Sequence, residues 1–189
     1  APKVFKGCKV LISVKLSGSL EKIGDYAFSD CTNLKIVYVG GNVSKIGEGA
    51  FRGCTNLEEV CFEENYSLKE IGDYAFYDCI HLKRIKFPPT LQSLGGRAFD
   101  GCKRLESVDI PDSVTVIKER AFCGCKELKN MDLPSTLKEI SEKAFMYCKK
   151  LTTLKLPASL ETIGLRAFSY CYSIKNIEIP PAVKDLGEG

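Results

Sequence analysis

The pair Ala-Phe recurs at 27–28, 50–51, 75–76, 98–99, 121–122, 144–145 and 167–168. The step is 23 residues, with one step of 25. Phe5 stands 23 residues before Phe28, without the alanine. Three residues after each of these eight phenylalanines comes a cysteine: Cys8, Cys31, Cys54, Cys79, Cys102, Cys125, Cys148 and Cys171. A period of this length marks a solenoid. Each unit is too small to bury its apolar face alone, so neighbouring units must stack.

The unit from Cys125, CKELKNMDLPSTLKEISEKAFMYC, shows how one coil is filled. Its apolar slots are Leu128, Met131, Leu133, Leu137, Ile140, Ala144 and Phe145, followed by Cys148. Other units refill each slot in kind: the Met131 slot also holds Val14, Val37, Val60, Ile85, Val108, Leu154 and Ile177. Met131 and Leu133 alternate with Asn130 and Asp132, which is strand periodicity. Pro88, Pro111, Pro134, Pro157 and Pro180 close five such strands, where a missing N–H costs no ladder bond. Ala121, Phe122, Cys125 and Leu128 fall at i, i+1, i+4 and i+7, a spacing that predicts a short helical turn. Gly24, Gly47, Gly72, Gly95, Gly164 and Gly187 follow the Ile140-type slot and suit a bend into that turn.

Each unit therefore reads as a short strand, a bend, a second extended piece and a helical turn. About eight stacked coils at roughly 4.8 Å give a rod or shallow arc of roughly 38 Å. The two extra residues of the 25-residue step enter beside Glu63 to Ser67 and read as a bulged loop, so residues 1–189 form one domain. The chain opens partway through a unit and stops at LGEG, without a polar cap at either end. A segment of a longer array or protein is expected.

The unit LxxIxLPxxLxxIGxxAFxxC resembles the BspA-type, or Treponema-type, leucine-rich repeat. The likeness covers residues 5 to 187 and rests on the Ala-Phe-x-x-Cys and Ile-Gly elements. It implies a leucine-rich-repeat solenoid with a short parallel-sheet strand in each coil. It also implies a non-catalytic role in protein–protein recognition or adhesion, secreted or at a bacterial cell surface, with a host or bacterial surface protein as partner. The family's repeats are architectural, so no catalytic residue and no cofactor carry over. The alternative is an architectural spacer that holds other modules away from a surface.

Composition agrees with a binding module more than with an enzyme. The 27 basic residues nearly balance 24 acidic ones, which gives no strong pull toward nucleic acid or an anionic membrane. No apolar run reaches the roughly 18 residues of a membrane span. The single histidine, His81, sits in a variable slot with Val10, Asn33, Asn56, Arg104, Glu127, Lys150 and Ser173, so no His-based triad or metal cluster is expected. There is no Gly-rich phosphate loop, HExxH or CxxC pair.

The ten cysteines raise the question of disulfides or metal. Eight lie in one register and so run parallel, an arrangement that favours buried, reduced thiols over bridges and cannot surround a tetrahedral metal. Cys123 is in a slot also filled by Lys6, Ser29, Arg52, Tyr77, Asp100, Met146 and Ser169. That mixture predicts a solvent-facing side chain, pointing away from Cys125.

The outward strand slots form two columns. One is Ser13, Ile36, Glu59, Arg84, Ser107, Asn130, Thr153 and Asn176. The other is Lys15, Tyr38, Cys61, Lys86, Asp109, Asp132, Lys155 and Glu178. Such columns build a continuous surface, often the binding face of a repeat protein. Ile36, Tyr38 and Cys61 are apolar or reactive where solvent favours polar groups. The candidate partner-binding residues are therefore Ile36, Tyr38, Glu59, Cys61, Arg84, Lys86, Asp109 and Asp132. A second candidate group is Tyr147, Tyr170 and Tyr172, after the helical piece.

Overall fold

The coils contribute short strands that pair, outside two breaks, with the equivalent strands of their neighbours. The computed structural model describes residues 3–63 and 66–188. In chain order the strands are β1 (Ser13–Lys15), β2 (Lys22–Ile23), β3 (Ile36–Val39), β4 (Lys45–Ile46) and β5 (Glu59–Phe62). They continue with β6 (Glu70–Ile71), β7 (Arg84–Lys86), β8 (Ser93–Leu94), β9 (Ser107–Asp109) and β10 (Val116–Ile117). The last are β11 (Asn130–Asp132), β12 (Glu139–Ile140), β13 (Thr153–Lys155), β14 (Thr162–Ile163) and β15 (Asp185–Leu186). All pairings are parallel and in register, as in Ile36↔Glu59 and Ile140↔Ile163. The result is a parallel β-solenoid of about 7 turns with ~23 residues per coil. The eight ladder cysteines enclose seven intervals, which reconciles this count with eight repeat units.

The longer strands line one face, as β1-β3-β5 and then β7-β9-β11-β13. The second extended piece of each unit forms another face, as β2-β4-β6-β8 and then β10-β12-β14-β15. The first face breaks between β5 and β7, where the chain carries its two extra residues. Of that loop, Glu63, Tyr66 and Ser67 lie outside any strand, and Glu64 and Asn65 lie outside the described residues. The second face breaks between β8 and β10, beside Lys118, which occupies the slot that Gly47, Gly72 and Gly95 fill in earlier coils. A Cβ on Gly47 would sit 2.7 Å from the Asp25 backbone nitrogen, so coils approach closely here.

The expected helical turn is a train of tight turns instead. In residues 24–31 the N–H groups of Ala27, Ser29 and Cys31 donate to Gly24, Tyr26 and Phe28 carbonyls within the coil. The intervening N–H groups of Tyr26, Phe28 and Asp30 donate to Glu48, Ala50 and Arg52 of the next coil, at 2.7, 2.8 and 2.7 Å. A helix would consume all six internally and leave none for stacking. Two left-handed residues per coil, such as Tyr26 at φ 55° and Asp30 at φ 59°, turn the backbone so that donors alternate. The prolines have a second use. Pro88, Pro111, Pro134 and Pro157 each supply the carbonyl that closes a turn on Leu91, Val114, Leu137 or Leu160.

Phe5, Phe28, Phe51, Phe76, Phe99, Phe122, Phe145 and Phe168 form one unbroken stack along the interior. Successive centroids are 5.1–5.6 Å apart, with interplanar angles of 1–14°. This is the offset-stacked geometry that aromatic rings prefer. The cysteines run beside it. Seven of the eight thiols, all but Cys8, donate to the phenylalanine carbonyl of the preceding coil, as in Cys54 to Phe28 at 3.1 Å, Cys102 to Phe76 at 3.1 Å and Cys148 to Phe122 at 3.2 Å. The same Phe28 carbonyl accepts the Cys31 N–H, so one oxygen ties two coils. The slot takes cysteine because it needs a small apolar group with one weak donor.

Candidate functional site

All eight candidate residues lie on the outward side of the longer-strand face. Register places Ile36 beside Glu59 and Tyr38 beside Cys61 on β3 and β5. Arg84 and Lys86 follow on β7, with Lys86 beside Asp109 of β9. Asp109 is beside Asp132 of β11. The face is therefore ordered along the solenoid: an apolar group, then two cations, then two carboxylates. Tyr38 is 41% exposed, while Ile36 and Cys61 are half-buried. Burial lifts the Cys61 thiol above its ordinary value, and a hydrogen bond with Glu59 adds to the effect.

The break in the sheet gives this face a concavity that the strand pattern did not reveal. Between β5 and β7 an open groove of ≈ 410 Å³ is lined by Cys61, Phe62, Tyr66, Lys86, Phe87 and Pro89, among others. Among the described residues no strand ladder joins β5 to β7, so backbone groups on both sides of the groove have no partner strand. Phe62, Tyr66, Phe87 and Pro89 were missed by the column reading. The 25-residue step was the signal that could have found them, because an insertion between stacked strands must splay or interrupt them.

The Cys123 reading is corrected. Cys123 is buried, as is Ser29 in the same slot. The slot directly follows the stacked phenylalanine, and longer neighbours cover it. At Cys123 these are Asp100 and Arg97 of the preceding coil and Arg120 of its own, all of which act on the thiol. Burial, then the Asp100 carboxylate, pushes the Cys123 thiol up to about 11. A slot that holds Lys or Asp in one coil can still be closed in another, because a small residue lets adjacent long side chains fold over it. His81 is half-buried, with Nδ1 2.7 Å from the Thr55 carbonyl oxygen.

The tyrosine group stands on the turn side, remote in the coil from the strand face. Tyr147 and Tyr170 stack at 4.6 Å, and Tyr172 meets Tyr170 edge-on at 6.1 Å. The turn side also carries Arg52 over the rings of Tyr74 and Tyr77, and Arg97 over Tyr74. These cations are engaged by rings or by carboxylates, as in Arg97–Glu119 at 3.1 Å. Among the described residues no group of three or more His, Cys, Asp or Glu side chains is placed to hold a metal ion. Among the described residues no helix is long and apolar enough to cross a membrane.

Parallel coils of 23 residues with a continuous apolar ladder define a leucine-rich-repeat scaffold. The profile of the BspA type leucine rich repeat region, in 6 copies, matches residues 1–105 and 92–189. The chain belongs to that family. It is 34% identical to a leucine-rich repeat protein from Bacteroides ovatus, with a TM-score of 0.92 over 99% of this chain and 48% of that one. It therefore spans about half the length of that relative. A T. pallidum leucine-rich repeat protein is 32% identical, with a TM-score of 0.80 over 88% of this chain and 79% of that one. A leucine-rich cell surface protein from Faecalibacterium prausnitzii shares the fold at 23% identity, with a TM-score of 0.59 over 93% of this chain and 62% of that one. No curated protein matches the chain.

Proposed function

We propose that this chain is a recognition module, secreted or at a bacterial cell surface, that binds a host or bacterial surface protein through its longer-strand face. The observation that carries this reading is the grouping of Ile36, Tyr38 and Cys61 beside the groove between β5 and β7. Solvent does not favour an exposed tyrosine ring, an isoleucine and a thiol side by side on a strand surface. Interface energy concentrates in a few aromatic and apolar anchors of this kind. The Arg84–Lys86 and Asp109–Asp132 groups that follow supply charges of both signs in fixed order, which suits orientation of a partner. The surface location is supported by family membership and by the shared fold of the F. prausnitzii cell surface protein.

The test is capture of surface proteins from host cells and bacteria on the immobilised chain, followed by affinity measurement with the captured partner. Tyr38→Ala with Ile36→Ser should weaken binding by more than the tenfold that corresponds to about 1.4 kcal/mol, with an unchanged circular dichroism spectrum. Tyr170→Ala with Tyr172→Ala should do little. Loss with the tyrosine pair alone moves the interface to the turn side. No effect of either pair, on any captured protein, leaves the spacer as the better reading.

A further inference from the structure

Seven cations lie together on the edge where the turn train runs into the longer-strand face. They fall in three columns. Lys103, Lys126 and Lys149 form the first; Arg104, Glu127 and Lys150 the second; Lys83, Glu106 and Lys129 the third. Backbone bonds fix the stacking: Glu127 N–H donates to Lys103 O and Lys150 N–H to Lys126 O, both at 3.2 Å. In the third column Glu106 N–H donates to Lys83 O at 2.8 Å and Lys129 N–H to Glu106 O at 3.2 Å. All nine side chains are exposed except Glu127, which is half-buried. They border an open groove of ≈ 350 Å³, lined by Lys83, Lys103, Arg104, Glu106, Lys126 and Glu127.

This charge is segregated, not a share of a basic chain. Seven cations meet two carboxylates here, which leaves 20 cations against 22 carboxylates for the other residues of a chain with 27 and 24. The edge is strongly positive and the remainder slightly negative. Neutralisation within the edge is slight. Lys150 pairs with Glu127 at 2.7 Å, and among the described residues the other six cations make no ion pair. Elsewhere the solenoid does pair its cations across coils, as in Lys45–Glu70 and Lys138–Glu161. In the first column three lysines repeat at one coil step, roughly 5 Å along the backbone, and their like charges repel one another. A ligand that brings anions at matching intervals relieves that repulsion.

We propose that this edge binds a linear sulfated polysaccharide laid along the coils, at a site separate from the strand face. The columns run along the solenoid axis and span three to four coils, so the ligand is extended. Six of the seven cations are lysines, compact point charges that suit isolated sulfate groups more than the bidentate contacts of arginine. One exposed ring, Tyr172, continues the first column and lies 5.9 Å from the Lys149 ammonium; a single ring, engaged by a cation, is short of the series of stacking platforms that single-strand nucleic-acid sites use.

The probe is heparin, titrated calorimetrically against the full chain over a salt series. The chain should bind at about 0.15 M salt, with affinity that falls steeply as salt rises. Lys103→Glu/Lys126→Glu/Lys149→Glu should weaken binding about tenfold or more and flatten the salt dependence. Lys22→Glu/Lys69→Glu/Lys184→Glu makes the same change in net charge elsewhere and should stay within about threefold of the parent. Lys→Gln changes at 103, 126 and 149 serve as the second variant if the glutamates disturb folding, checked by circular dichroism. Tyr38→Ala should leave heparin binding unchanged, so this proposal and the strand-face reading fail separately. Equal loss in both lysine triples, or no binding by the parent, overturns the proposal. So does tighter binding of a DNA oligonucleotide of equal charge.

Discussion

The cysteine ladder makes the solenoid sensitive to alkali, and the size of the effect follows from burial. Cys54, Cys79, Cys102 and Cys125 are fully buried, and each donates its S–H to a phenylalanine carbonyl. Burial pushes all four thiols far above the ordinary value of 9.0. In the unfolded chain they ionise near pH 9; in the native coil they stay protonated. Above pH 9 the unfolded state therefore holds fewer protons than the native state, and stability falls as pH rises. The ladder's stability is complete below pH 8 and is lost upward through the pH range between the unfolded and native values. From pH 8 to pH 10 each thiol lowers the unfolding free energy by on the order of 1 kcal/mol, and four together lower it by several kcal/mol. Total domain stabilities are about 5–15 kcal/mol, so the chain should approach unfolding near pH 10. Urea unfolding at pH 8, 9 and 10 with a reductant present measures the slope. Lysine and tyrosine ionisation also act near pH 10, so the decisive comparison is internal. Cys79→Ala with Cys102→Ala should lower stability at pH 7 and remove about a third of the pH 8–10 loss, since burial also holds Cys123 and Cys148 protonated. An unchanged slope in that variant would refute the assignment of the effect to buried thiols.

Two further expectations concern packing and backbone. Phe99 stacks on Phe76 at 5.1 Å and Phe122 at 5.6 Å and meets Phe87 edge-on at 5.7 Å; Phe99→Ala should cost about 3–5 kcal/mol and Phe99→Leu about 1–2 kcal/mol in urea unfolding. A leucine variant as stable as the parent would show that ring stacking adds nothing beyond volume. Gly101 has φ +79° and faces the Asp78 carboxylate, whereas Gly124, at φ +71°, has no atom nearer than 3.6 Å to an added Cβ. Gly124→Ala should cost about 1 kcal/mol from left-handed strain alone, and Gly101→Ala clearly more, because Asp78 must also move; equal losses would contradict the Asp–Gly contact.

The repeat was legible because inward slots are filled under one rule in every coil. Leu, Ile, Phe and Cys recur where a neighbour above and below must be met, so spacing alone gave the coil, its strand and its inward residues. The turn train was not legible from apolar spacing, since alternate i and i+4 placement fits both a helix and successive turns. Its own signal was the residue before six of the eight ladder cysteines: Gly7, Asp30, Gly53, Asp78, Gly101 and Gly124, the types that tolerate left-handed backbone, whereas Tyr147 and Tyr170 hold the same backbone at φ 64° and 63°. The companion position holds Tyr26, Tyr74, Arg97, Arg120, Lys143 and Arg166, all at φ 52–56°. No composition rule finds those, because stacking bonds to the next coil override local preference.

The same distinction explains where recognition belongs on such a molecule. A strictly periodic solenoid repeats one surface in every coil and offers a partner no unique register, so a bound partner could slide by one coil step. A specific site needs a departure from the period. The longer-strand face departs where two added residues interrupt the ladder between β5 and β7 and leave a groove with aromatic and charged lining. The basic edge departs in another way, by repetition of lysine itself over Lys103, Lys126 and Lys149. Repetition suits a ligand that is also periodic, for which sliding by one step costs little. A folded protein partner fits the first kind of departure and a polyanionic chain the second, so one scaffold can carry both without competition.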